Sequence, residues 1–171
     1  MSVIGQETLA DTFYRLDRVR ASTPRSINER IDRETAERVR GYARAPREAL
    51  SRRIGELERE WDIERVLERN AALLALTGLA LGIGVHRRWL LLPGVVMSFL
   101  FQHAVQGWCP PLLILRPLGI RTQREIEAEK YALKALRGDF AGVAESTAPE
   151  ARVQEALLAA ATGRRQEPKA A

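Results

Sequence analysis

Between Asn70 and Cys109 the chain turns apolar twice, from Ala71 to Val85 and from Trp89 to Trp108, with only the basic knot His86-Arg87-Arg88 between the two stretches. The second stretch carries no formal charge and spans about 28 Å at 1.5 Å rise per helical residue, close to the ~30 Å of a hydrocarbon core. Trp89 and Trp108 bracket it, at the two levels where indole prefers to lie in a bilayer. The first stretch is shorter, about 22 Å if helical, and needs Arg69 below it and His86 or Arg87 above it to snorkel toward water. The pattern predicts an all-α membrane protein: a two-helix transmembrane hairpin in residues 70–110, with spans about 71–86 and 89–108, flanked by amphipathic cytoplasmic helices. A buried hairpin of a soluble bundle is the competing arrangement. Against it, neither stretch carries an amphipathic stripe, and the remaining chain is too polar and too short to wrap two helices that are apolar all round.

Residues 1–69 read as amphipathic helical pieces separated by prolines. Leu9, Phe13 and Leu16 form the first stripe, and a second helix is expected from about Ser26 to Tyr42. The third starts at Pro46 and carries Leu50, Ile54, Leu57 and Trp61 at alternating four- and three-residue steps, a short coiled-coil-like seam. That seam suits a homo-oligomer, a protein partner through the 46–61 helix, an interfacial helix laid on lipid, or packing within the chain. Asp62 is placed to cap a helix leading into the first span. After the apolar block, Thr122-Gln123-Arg124-Glu125 fits a capping box and Gly138 closes the helix it opens. A further helix start falls at Thr147, completing a C-terminal helical region over 111–163, and the tail 164–171 is expected to be disordered. No period-two alternation predicts a strand.

Charge decides orientation. Arg52, Arg53, Arg59, Arg65 and Arg69 precede the spans and Arg116, Arg121 and Arg124 follow them, against Arg87 and Arg88 in the turn, so both termini are expected in the cytoplasm. The first residues lack a basic, then apolar, then small-residue leader pattern, so the hairpin itself is expected to direct insertion. A formal net charge of +5 favours polyanions, and beside a membrane hairpin the nearest are anionic lipid headgroups. Trp61, Trp89, Trp108, Arg65, Arg69, Arg87 and Arg88 are the expected interface anchors. Nucleic acid is the weaker alternative, because the three Trp residues sit in or beside the apolar block rather than among the basic runs.

Inside a bilayer, helices associate through close backbone packing rather than burial from water. Gly78 and Gly82 form a GxxxG on the first span, and Gly94 with Ser98 a small-xxx-small pair on the second. These faces are expected to meet within the hairpin, or one of them to serve a homodimer. Gln102, His103 and Gln106 bring polar groups into the last turns of the second span. His103 and Cys109, six residues apart, are expected to point well away from each other on a helix.

Cys109 is the one candidate nucleophile with local support, although a helix C-terminus there would disfavour its thiolate. The residues offer no cofactor motif, no paired catalytic carboxylates and no metal-ligand spacing.

Asp62-Ile63-Glu64-Arg65, then Arg69, two apolar spans, Cys109-Pro110 and Leu118-Gly119-Ile120-Arg121-Thr122 resemble the YgaP-like transmembrane domain family. These are small bacterial two-helix membrane domains, sometimes fused to a rhodanese sulfurtransferase domain. Here residues 111–117 intervene between the Cys-Pro and the Leu-Gly, and no strand-rich rhodanese region is present. The resemblance implies a multi-pass protein of the bacterial inner membrane and implies no reaction. The expected function is a non-catalytic structural or accessory membrane component that engages lipid or a protein partner. The alternatives are a thiol-based sulfur-handling or redox accessory acting through Cys109, and a soluble basic helical nucleic-acid-binding protein.

Overall fold

The computed structural model describes residues 17–145 and 149–162. Every regular element among them is helical: α1 (Arg18–Ala21), α2 (Arg25–Tyr42), α3 (Arg47–Leu57), α4 (Ile63–Gly84), a 3-10 turn (Arg87–Leu90), α5 (Leu91–Gln106), α6 (Leu112–Leu115), α7 (Gln123–Arg137), α8 (Ala141–Glu145) and α9 (Pro149–Thr162). The stripe of Leu9, Phe13 and Leu16, the helix start at Thr147 and the tail lie outside the described residues.

The helix boundaries follow local chemistry. Asp62 accepts from the Arg65 amide at 2.8 Å and opens α4. Pro46 stands one residue before α3, where its missing donor costs nothing. At Thr122 both halves of the capping box form: the Glu125 amide donates to Thr122 Oγ1 at 3.3 Å, and the Thr122 amide donates to Glu125 Oε2 at 2.8 Å. α5 stops at Gln106 rather than continuing to Trp108, because Gly107 turns left-handed with φ +71° and its amide caps the His103 carbonyl at 2.7 Å. A Cβ at Gly107 would strike the Arg18 backbone, so only glycine fits this turn.

The chain divides into two compact units. The first holds residues 17–34 and 61–126 of the described chain, and so contains the hairpin of α4 and α5. Its core is a cluster of Val19, Ile63, Leu67, Cys109 and Leu112, with Leu115 and Ile120 packed against it. The Ile63 amide donates to the Arg121 carbonyl at 2.9 Å and clasps the two ends of the hairpin together.

Beside this core lies a buried polar network. Arg116, 1% exposed, makes a two-pronged pair with Glu125, Nη1 to Oε2 and Nη2 to Oε1, each at 2.8 Å. Its remaining donors reach Thr23 Oγ1, Asn28 Oδ1 and the Ile120 carbonyl. Glu125 also accepts from Arg20 Nη1 at 2.5 Å, while Arg20 grips Asp32 with both Nη atoms. Thr122 Oγ1 donates to Asp17 Oδ2 at 2.6 Å, and the other Asp17 oxygen caps the amides of Val19 and Arg20. Burial pushes the Glu125 carboxyl up, but the hydrogen bonds and charge of Arg116, the Thr122 amide and the Arg20 charge outweigh it and hold the group below its ordinary range.

The second unit holds residues 35–60, 127–145 and 149–162 of the described chain. Glu129 is its polar centre, fully buried and met by Arg38 Nε at 3.1 Å and by Arg53 Nε and Nη2 at 3.0 and 2.8 Å. Leu50, Ile54 and Leu57 are buried within the chain. The seam predicted as a possible oligomer face is therefore already covered, and Trp61 lies beyond the end of α3.

Because the folded pKa of Glu125 lies below its unfolded value of about 4.3, the network's stabilisation is present above that value and is lost as pH falls through the folded pKa. Glu125→Gln leaves Arg116 buried without its partner and is expected to cost about 3–5 kcal/mol at neutral pH. It should also flatten the loss of stability below about pH 4. Chemical unfolding in detergent across pH checks both, and a Glu125→Gln protein with wild-type stability at pH 7 would contradict the assignment.

Candidate functional site

The hairpin is held by small residues on one helix only. A Cβ at Gly78 would lie 2.6 Å from Pro93 Cδ, 3.0 Å from Leu92 Cβ and 3.2 Å from the Trp89 carbonyl oxygen. At Gly82 it would meet Leu90 Cδ2 at 2.5 Å. The expected meeting of two small-residue faces does not occur. Gly94 has no atom within 4 Å of where its Cβ would be, and the exposed Ser98 hydroxyl donates back to the Gly94 carbonyl at 2.9 Å. The first-span glycines instead receive the bulk of Leu90, Leu92 and Pro93, so the close approach is glycine against side chain.

At the opposite end of the hairpin, the last carbonyls of α5 are satisfied from α1 and the turn after it. Arg18 Nη1 donates to the Ala104 carbonyl, and Ser22 Oγ donates to the Gln106 carbonyl at 3.4 Å. A helix end left with bare carbonyls would carry negative potential and unmet acceptors; here both are offset.

His103 faces inward, 4% exposed, and its Nε2 lies 2.7 Å from Glu64 Oε2 on the first turn of α4. With a carboxylate as acceptor, Nε2 carries the proton. Nδ1 has no hydrogen-bond partner among the described residues. Gln102 and Gln106 point elsewhere and touch each other at 3.5 Å. His86 sits at the far turn, where its Nδ1 accepts from the Arg88 amide at 3.1 Å. Nothing in the sequence pairs Glu64 with His103, since 39 residues and the whole hairpin separate them.

His103 and Cys109 line one groove of about 580 Å³, together with Leu67, Leu74, Phe99 and Leu100. The expectation that they diverge fails because α5 ends at Gln106 and the left-handed turn at Gly107 brings the chain back. Cys109 is buried in the core cluster. Burial pushes its thiol up, a backbone hydrogen bond involving Leu112 offsets part of this, and the charge of Glu64 adds to it. The thiolate is thus disfavoured, by desolvation rather than by the helix end invoked from the sequence. Among the described residues no group of three His, Cys, Asp or Glu side chains is arranged to hold a metal ion.

The residues expected from the sequence to be interface anchors lie at both ends of the hairpin. Trp89 is exposed beside Arg87 and Arg88 in the 3-10 turn, and Trp108 is half-buried just past α5. Trp61 is exposed just before α4, and the guanidiniums of Arg65 and Arg69 both lie over its ring, at 4.8 and 5.0 Å from the centroid. No family model, curated protein or solved structure matches the chain.

Two outcomes follow for this region. Gly78→Val should destabilise the hairpin by about 1–3 kcal/mol, and more than Gly82→Val does, because Pro93 and a backbone carbonyl yield less readily than the end of Leu90. Thermal unfolding in detergent ranks the two, and the reverse order would contradict this packing. Cys109 should react with a maleimide only after unfolding, so fast labelling of the folded chain at neutral pH would refute its burial.

Proposed function

We propose that the chain is a small, non-catalytic integral membrane protein whose hairpin of α4 and α5 crosses the bilayer, with both termini in the cytoplasm. The observation that carries this is apolar surface with little cover among the described residues. Two helices, Ile63–Gly84 and the segment Arg87–Gln106, have the length and composition of membrane spans, yet only 11% and 6% of their apolar windows are buried within the chain. A soluble bundle would place such helices at its centre. Here Leu73, Leu76, Ile83, Leu91 and Phe101 all turn outward. Water would penalise that surface, whereas lipid does not.

The ends of the hairpin support the same reading. The charged and buried polar groups of the first unit gather where α4 begins and α5 ends, and Arg87 and Arg88 mark the other end. The helix containing the short first span begins at Ile63, so α4 is 22 residues long, about 33 Å. Its apolar part still begins only after Asn70, so the far turn lies shallow and Arg87 and Arg88 reach for headgroups. The resemblance to the YgaP-like family, and with it a bacterial inner-membrane location, belongs to this proposal. The residues that carry it include Asp62, Ile63 and Arg121, which cap α4 and clasp the hairpin base. Nothing in the site favours sulfur chemistry at Cys109, and the engagement of lipid or a protein partner is the proposed role.

Carbonate washing of membranes, with cysteine labelling from each side on a Cys109→Ser background carrying Arg87→Cys, tests the proposal. Resistance to carbonate and labelling of position 87 only from outside are expected. Release by carbonate or salt would make the hairpin a soluble element and overturn it.

A further inference from the structure

We propose that Trp61, Arg65 and Arg69 form a binding site for the phosphodiester of an anionic lipid headgroup, of the phosphatidylglycerol type, in the leaflet at the start of α4. The inference rests on the membrane reading above and assigns that reading its lipid.

Three observations converge on these residues. First, two guanidiniums one helical turn apart are drawn to a single indole, at 4.8 and 5.0 Å from its centroid. A cation this close to an indole is attracted by the ring and still has N–H donors to offer a ligand. Second, neither guanidinium forms a salt bridge with a carboxylate among the described residues, and Arg69 Nη2 donates to the neutral Asn70 Oδ1 at 3.3 Å. Of the acids beside them, Glu64 pairs with His103, Asp62 caps the Arg65 amide and Glu68 is exposed, and none forms a salt bridge with either guanidinium. Two like charges held on one ring repel each other, and an anion bound to both relieves that repulsion. Arg20, Arg38, Arg53, Arg116 and Arg137, by contrast, each meet a carboxylate in the fold.

Third, the depth is that of a headgroup. Arg69 is the last charged residue before the uncharged run that begins at Ala71 and ends at Val85. Trp61 is 43% exposed, an amphipathic ring at the level where Trp favours the membrane interface. An acidic peptide or nucleic acid would have to reach this depth past the headgroups, while a lipid phosphate already occupies it. A guanidinium pairs with phosphate oxygens by two parallel donors, which a zwitterionic lipid offers less well because its own ammonium competes.

The test uses the full chain in detergent with Trp89→Phe and Trp108→Phe, so that emission reports on Trp61 alone. Titration with phosphatidylglycerol should shift and saturate the Trp61 emission, and titration with phosphatidylcholine should not. Arg65→Gln together with Arg69→Gln should weaken the apparent affinity about 25-fold, from about fivefold per arginine, while Arg65→Lys with Arg69→Lys should keep much of it. If the Phe background does not fold, wild-type chain and arginine variants are compared by native mass spectrometry for retained phosphatidylglycerol. Equal responses to the two lipids, an unchanged double Gln variant, or an equal shift with soluble glycerophosphoglycerol would each overturn the site. A protein that resists carbonate but shows no lipid preference sinks this site alone, whereas release by carbonate sinks the membrane reading itself.

Discussion

Glu125 accepts hydrogen bonds from Arg116, Arg20 and the Thr122 amide at once, in a place that water hardly reaches. A buried carboxylate of this kind is tolerable only with its cations in place, and the cations only with it, because desolvation penalises each charge left alone. The constraint is geometric as much as energetic. To satisfy Arg116 the chain must bring Thr23 and Asn28 from the N-terminal side and Ile120 from the turn after α6 to one point. Once those segments converge, Val19, Ile63, Leu67, Cys109 and Leu112 are forced into a common core, and the hairpin base is closed.

That arrangement separates two kinds of cohesion. At the base of the hairpin, buried ion pairs and caps hold the backbone groups, as in an aqueous domain. Along the hairpin itself there is little to bury, and the helices are joined by the fit of Leu90, Leu92 and Pro93 against Gly78 and Gly82. With so little of either helix buried, this close approach is what joins the pair. The outward leucines and phenylalanines then play no internal role and are available to the surrounding medium.

The groove at the junction shows how a single backbone turn alters what neighbouring side chains can do. His103 and Cys109 belong to different faces on a continuous helix, and with the left-handed turn at Gly107 both line one groove. Glu64 pairs with His103 from α4, and its charge adds a little to the burial that pushes the Cys109 thiol up. Burial of Arg116 had a trace in the sequence, since it interrupts Leu112-Leu113-Ile114-Leu115 and Pro117-Leu118, an apolar setting in which a solvated arginine is out of place. The partner it requires was legible only as half of a capping box.

Elements that depend on neighbouring residues could be read directly. The Asp62 cap, the Thr122–Glu125 box, the stop at Gly138 and the two apolar helices all follow from side chains within a turn or from an unbroken apolar run, and each lies where local chemistry puts it. Features set by segments distant in the chain were not readable. The Arg116–Glu125–Arg20 hub, the His103–Glu64 pair and the choice of Leu90, Leu92 and Pro93 as partners for the glycines required the tertiary structure. Spacing along a helix specifies which face a residue occupies, but only packing decides what that face meets, and for a buried charge the identity of the partner is the whole of its energetics.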